Sequence, residues 1–508
     1  MAPGQIFHKN HLPLSLSAHP PIPPSSYPPL LDVISKVQPP LEFIPPAFNP
    51  LVLRVAKRVL PFLLRRQTQI TQIQADDVEI LVDLYRQFQE GKSRFLIAFR
   101  HPSIDDPFCM SYLLWQLVPE VAKQQGISLL KPIHAHFIYD RGIPLWAGSQ
   151  VGWIYSRLGC TPIQRGKADW MGLRSARNLF ANGKLPMAAA PEGATNGHTE
   201  VISPLEPGIA QLSFWCIEDL LKAERSQQVL IVPVGIQYSY IEAPWQSLEQ
   251  LLCQLEADSG LSAVELKVQG GNQLANTQAS EALLYQRLYR LGEHLLSLME
   301  DFYTRFYHQT LPTIEEKTLS TLEEIPSNAN QILATRLQAL LDVALKVAEE
   351  YFDLKARGGL IDRCRRLEQV GWDYIFREEF KNTNNLSSVE YGLANRIAEE
   401  ANLRMWHMRL VESFVAVTGY YVAEKPTVER FAETTMLLWD TITKIKGHTS
   451  FKRPRLGKQR VQMKVGQPIS VGEYYPVYKE SRRGAKQAVA QLTRDLQLAL
   501  EGLISPSE

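Results

Sequence analysis

Phe95-Leu96-Ile97-Ala98-Phe99-Arg100-His101-Pro102-Ser103-Ile104-Asp105-Asp106-Pro107 decides how this chain folds. Five consecutive apolar residues between polar flanks predict a strand buried on both faces, as in the middle of a parallel sheet. The strand runs straight into a histidine, a proline and a turn. Asp106 followed by Pro107 suits the start of a helix, because an aspartate caps a first turn and a proline there loses no hydrogen bond. The same carboxylate, five residues beyond His101, is within reach of an imidazole nitrogen. The segment therefore reads either as a plain strand-to-helix turn or as a histidine oriented by an acid at a strand's carboxyl end.

Working outward, apolar runs at 185–190 and 229–236 also read as buried strands, and 108–117, 172–180 and 208–223 as helices. Alternation of this kind predicts an α/β fold, a layered and largely parallel sheet flanked by helices. In such sheets the loops after the strands carry chemistry. Beyond 280 the pattern becomes helical. Leu284, Leu288, Leu291, Leu295, Leu298 and Phe302 form one seam, and Leu333, Leu337, Leu340, Ala344, Val347 and Tyr351 another. Residues 280–448 are expected to form an inserted all-α bundle. Residues 455–508 would supply a strand and a helix that complete the domain begun at 76–270, so the α/β domain is expected to be discontinuous.

The amino-terminal part differs again. Thirteen of the 33 prolines lie in the first 50 residues, so 1–45 reads as an extended, disordered tail. From Phe43 to Ala75 there is no acidic residue, while Arg54, Lys57, Arg58, Arg65 and Arg66 are basic. Residues 46–75 are expected to form basic amphipathic helices broken at Pro61. They would lie either in a lipid headgroup layer or against the domain itself.

Composition excludes several classes. Against 54 Lys and Arg stand 53 Asp and Glu, a net charge of +1, which argues against a nucleic-acid partner. Five scattered cysteines give neither a disulfide framework nor a C-x-x-C metal site, and suit a reducing compartment. No signal peptide or membrane-spanning run is evident, so a soluble or peripheral protein is expected. His134 and His136 share one face of a probable strand, but without a third ligand no metal site is assigned.

Four blocks together raise the reading of His101. After 185–190 comes Pro191-Glu192-Gly193, a carboxylate at a strand end beside a glycine. Between it and His101 lies 159–167, a turn-rich loop with two cations, Arg165 and Lys167, able to clamp a phosphate. Pro233 interrupts an apolar strand, where a proline is tolerated mainly at an edge or where pairing stops.

In this order, His101…Asp106 with Ser103, Gly159…Arg165, Pro191-Glu192-Gly193 and Val232-Pro233-Val234 resemble the glycerolipid acyltransferases, the 1-acyl-glycerol-3-phosphate acyltransferase family. Val465-Gly466-Gln467-Pro468-Ile469 resembles that family's closing strand, and the basic helix its membrane anchors. The resemblance implies transfer of an acyl group from a thioester, acyl-CoA or acyl carrier protein as cosubstrate, to a lipid hydroxyl, with no cofactor. His101 would be general base and Asp106 its orienting partner. Arg165 and Lys167 would hold the acceptor's headgroup, Glu192 and Gly193 would shape its pocket, and Pro233 would line the apolar side. Backbone amides beside His101 or Gly193 would serve the oxyanion. It also implies a peripheral place on the cytoplasmic face of a membrane; oligomeric state stays open.

The chain departs from the family after its third block. Ala194-Thr195-Asn196 stands where Thr-Arg-Ser is usual, so one phosphate ligand is missing and a phosphorylated acceptor is put in question. Arg174 and Arg177 are candidates to replace it, or solvated helix charges. The rival readings are a metal-dependent hydrolase using His101, Asp106, Glu192 and His198, and a non-catalytic scaffold on a lipid surface.

Overall fold

A computed structural model of the chain describes residues 36–165, 169–261, 277–312, 328–381, 386–414, 420–447 and 453–504. Lys167, the tail up to residue 35 and most of the Gly/Asn-rich stretch near 270 lie outside the described residues.

The architecture is mixed α/β, with a mostly parallel eight-stranded sheet flanked by helices. The strands are β1 (Ile70–Asp76), β2 (Ser93–Phe99), β3 (His136–Asp140), β4 (Thr161–Ile163), β5 (Met187–Ala189), β6 (Gln228–Tyr240), β7 (Gln459–Val465) and β8 (Ile469–Ser470). Their order is β1-β7-β6-β2-β5-β3-β4, with β8 also on β6. β6, β2, β5, β3 and β4 run parallel, and β7 and β8 pair with β6 antiparallel.

Every residue of β2 is buried, as a continuous apolar run between two helical layers requires. Phe95, Ile97 and Phe99 face a core closed by helices Pro50–Gln67, Val78–Gln89 and Asp106–Tyr112. Leu96 and Ala98 face the opposite core under Trp170–Asn182, Gly208–Lys222 and Arg482–Glu501. β7 is inserted between β1 and β6 although it follows the entire helical region.

That helical region comprises Thr277–Tyr307, Ala329–Tyr351, Leu360–Ile375, Ser388–Phe414 and Val428–Ile445, with two apolar cores, one shared with helix Trp245–Asp258 and the other with Val37. Polar ties also join it to the sheet domain. The Tyr240 amide donates to Glu429 (3.1 Å), and Arg430 pairs with Glu200 (2.6 Å).

Four expectations need correction. Residues 70–76 are not helical but form β1, an edge strand paired along one side with β7. Its pattern, Ile-Thr-Gln-Ile-Gln-Ala-Asp, alternates too weakly for a half-buried edge to be seen. Helix Pro50–Gln67 runs through Pro61 unbroken, with that proline on its exposed side. Residues 36–45 are packed rather than disordered: Val37 is buried in the bundle, and the Gln38 amide donates to the Ile375 carbonyl (2.8 Å). Finally, 159–167 is not all turn, since it contains β4.

Helix Pro50–Gln67 resolves the choice between packing and exposure by doing both. Leu53, Leu60 and Leu64 are buried on the domain, whereas Leu51, Val55 and Phe62 are 60, 58 and 57% exposed, among exposed Arg54, Arg58, Arg65 and Arg66. Lys57 turns inward over the Trp115 ring, and burial draws its amine below the ordinary lysine range. Among the described residues no helix is long and apolar enough to cross a membrane.

Candidate active site

The carboxyl ends of β2, β5 and β4 deliver three sequence-marked groups to one region. His101 follows β2, Glu192 follows β5, and Arg165 follows β4. Helix Asp106–Tyr112 begins at Asp106, with Pro107 in its first turn; Asp105 precedes it and makes no capping bond. Asp106 is thus free of capping duty.

Its carboxylate is fully buried and receives three donors. Oδ2 accepts from the Ser103 amide (2.9 Å) and lies 2.9 Å from His101 Nδ1, while Oδ1 accepts from the Tyr238 hydroxyl (2.5 Å). Since the Ser103 amide can only give, the carboxylate is an acceptor, and Nδ1 of His101 carries the proton toward it. Nε2 then keeps its lone pair. The His101 side chain is 23% exposed, at the carboxyl end of the central strand β2. Burial beside Asp106 drives the Tyr238 phenol far above its usual range and keeps it a donor. Desolvation, with Asp106 adding to it, raises Asp105 to about 6.

Glu192 holds the histidine's backbone. Oε1 accepts from the His101 amide (2.8 Å), and Oε2 accepts from Asn196 Nδ2 and the Ser203 amide (both 3.0 Å). Asn196 also donates to the Val201 carbonyl (2.6 Å), so the residue that marks the departure from the family pattern is what locks Glu192. Arg100, wholly buried, ties the same loop by donating to the carbonyls of Thr199, His198 (3.1 Å) and Val201 (2.7 Å). Gly193 has φ +73°, and a Cβ there would stand 2.4 Å from Glu206 Oε1, which explains glycine at that position.

Other expected residues are placed differently. Arg165 does not stand free for a phosphate. It pairs with Asp140 (3.0 Å), Glu368 (3.4 Å) and Glu412 (3.8 Å), and donates to the Gly193 carbonyl (2.6 Å). Two of those carboxylates come from the bundle, so this arginine ties the insertion to the Pro-Glu-Gly turn. The ring of Pro233 abuts Gly466, in the gap where β6 exchanges β8 for β7 as partner. That is the break in pairing a proline needs. The amides of His101 and Gly193 are not available to an oxyanion, being spent on Glu192 and on the Ala190 carbonyl (3.3 Å).

Three other histidines, His134, His136 and His198, are held in the packed interior. His134 bonds the Leu158 carbonyl (2.9 Å) and accepts from Trp115, and burial lowers it to about 3. His136 bonds the Gly159 carbonyl (2.7 Å). His198 bonds the Asn196 carbonyl (2.7 Å) under the ring of Tyr421, and burial lowers it to about 4. Arg177 pairs with Asp219 (2.6 Å) on a neighbouring helix. Among the described residues no three His, Cys, Asp or Glu side chains converge as metal ligands.

A histidine oriented by a buried acid at the carboxyl end of a parallel strand is an arrangement with the chemistry of a general base. Residues 79–237, from the helix before β2 into β6, match the family model Acyltransferase. This part of the chain is an acyltransferase-family domain, in agreement with the resemblance carried by the four blocks. No curated protein and no solved structure matches the chain significantly.

Proposed function

We propose that the chain moves a fatty acyl group from a thioester, acyl-CoA or acyl carrier protein, to the hydroxyl of a glycerolipid acceptor, with His101 as general base. The observation that carries this reading is the 2.9 Å contact of His101 Nδ1 with Asp106, together with the lone pair it leaves on Nε2. Nε2 takes the proton as the acceptor oxygen attacks the thioester carbonyl. The imidazolium so formed is stabilised by Asp106, and returns the proton as the thiolate departs. A thioester is reactive enough that no protein nucleophile is required. Glu192 and Asn196 position the histidine rather than contact substrate.

A peripheral membrane location fits the outward face of helix Pro50–Gln67, whose apolar side chains stand among arginines as an interfacial helix requires. The full occupation of Arg165 by carboxylates favours an acceptor that does not rest a phosphate on that side chain.

The test is incubation of the protein with labelled acyl thioesters and a panel of lysolipids, with products identified by mass spectrometry. An acylated lipid is expected from the wild type. His101→Ala is expected to fold normally and lose at least about a hundredfold in rate, the usual scale of general-base catalysis. Undiminished turnover by that variant would refute the assignment.

A further inference from the structure

The helical insertion encloses an apolar cavity unconnected with the chemistry above. Helices Thr277–Tyr307, Ala329–Tyr351, Ser388–Phe414 and Val428–Ile445 surround about 150 Å³ of free space, walled by side chains such as Leu288, Leu295, Leu337, Leu341, Leu410 and Leu438. A dry apolar space of this size holds roughly six carbons' worth of hydrocarbon.

Two features indicate that the space is kept open. Gly292 lies in the interior of a 31-residue helix and lines the cavity, and a Cβ there would meet nothing within 4 Å. A glycine at such a place costs about 1 kcal/mol relative to alanine, with no crowding to require it. Thr434 also lines the cavity, and its buried hydroxyl has no hydrogen-bond partner. On the same helix the buried Thr435 and Thr441 donate to the carbonyls four residues back (both 2.8 Å), and Thr434 does not. A buried hydroxyl left unpaired is unfavourable unless a ligand satisfies it.

We propose that the bundle contains a binding site for a single small aliphatic molecule of roughly six carbons, separate from the His101 centre, with Thr434 Oγ1 meeting the ligand's one neutral polar group. Short aliphatic alcohols have this chemistry. The inference rests on the cavity and not on the acyl-transfer reading. Tyr421 links the two regions: it lines the cavity, donates to Glu433 (2.6 Å), and stands 5.1 Å edge-on to His198. Glu433 in turn accepts from the Thr199 amide (2.8 Å), in the loop that Arg100 ties to β2.

Calorimetric titration of the full chain with 1-hexanol tests the site. The wild type and His101→Ala are expected to bind equally. Gly292→Leu and Ala344→Leu, which fill the space from facing helices, are each expected to weaken binding by about tenfold or more. Gly292→Leu should melt no lower than the wild type, since it replaces a helix-interior glycine beside open space. Absence of binding by the wild type, undiminished binding by both filled variants, or loss of binding in His101→Ala would each overturn the proposal. The last outcome would place the alcohol at the catalytic centre. Binding without detectable acyl transfer would leave this site intact and count only against the catalytic assignment.

Discussion

Tyr238 and Asp106, 132 residues apart, meet at 2.5 Å beneath His101, on the carboxylate oxygen that this histidine does not use. The acid is therefore fixed from two sides, by the phenol from β6 and by the Ser103 amide from its own turn. Tyr238→Phe leaves Oδ1 buried with its partner gone, at a cost of about 1–3 kcal/mol in stability. The turnover rate is expected to fall and the acid limb of its pH profile to move, because the charge facing the imidazole is no longer held. Asp106→Asn is expected to cost more, about a hundredfold or greater, while leaving a folded protein. An unchanged pH profile for Tyr238→Phe would make that hydroxyl purely structural.

Arg165 has three carboxylate partners and a carbonyl. Arg165→Ala takes one cation from Asp140, Glu368 and Glu412, while Arg365 stays on Glu368 (3.1 Å) and Glu412 (2.8 Å); the expected cost is about 1.5–3 kcal/mol, the worth of hydrogen bonds to a charged group. The melting temperature should fall. KM for phosphate-bearing and phosphate-free acceptors should change by a common factor. A rise confined to phosphate-bearing acceptors would restore this arginine to the acceptor site.

Glu433 is raised by desolvation to about 7, against 4.5 for a free glutamate, with its hydrogen bonds to Tyr421 and Thr199 only partly offsetting. Between those values the folded state holds a proton that the unfolded chain has lost, so stability falls as pH rises from about 4.5 to 7. Glu433→Gln keeps the shape and removes the titration. It is expected to flatten that slope and to exceed the wild type in stability at pH 8 by up to about 3 kcal/mol. Denaturant melts at pH 5 and pH 8 decide it. An equal slope in both proteins assigns the titration elsewhere.

The outward side of helix Pro50–Gln67 should hold the protein to lipid. Val55→Asp combined with Phe62→Asp replaces side chains 58 and 57% exposed, so the melting temperature should hardly move. Sedimentation with vesicles containing anionic phospholipid should fall about tenfold or more, since each such side chain contributes roughly 1.5–3 kcal/mol when buried. Wild-type sedimentation that is unaffected by these changes would rule out this face as the contact.

What could be read from the sequence was what local pattern determines. Phe95 to Phe99 is legible because a strand covered on both faces must be apolar throughout, and His101 and Asp106 because five residues of one turn bring them together. The Leu284 seam is legible because helical period persists over many turns. Whatever depends on distant partners was hidden. Tyr238 looks like any strand aromatic until β6 is set beside β2. Arg165 looks like a phosphate clamp until Glu368, 203 residues further on, is seen across from it. β1 was missed because an edge strand with one paired side needs only a weak alternation, and Lys57 because a helical wheel cannot show which cation has an indole beneath it.

Gln459–Val465, which leaves the ribosome after the whole bundle, seats itself between two strands made long before. Until it emerges, β1 and the distal half of β6 present open backbone groups to solvent, and the nascent chain carries two sticky margins through the whole synthesis of the bundle. A stop codon anywhere ahead of Gln459 would therefore do more than shorten the protein, because it would release a template for aggregation.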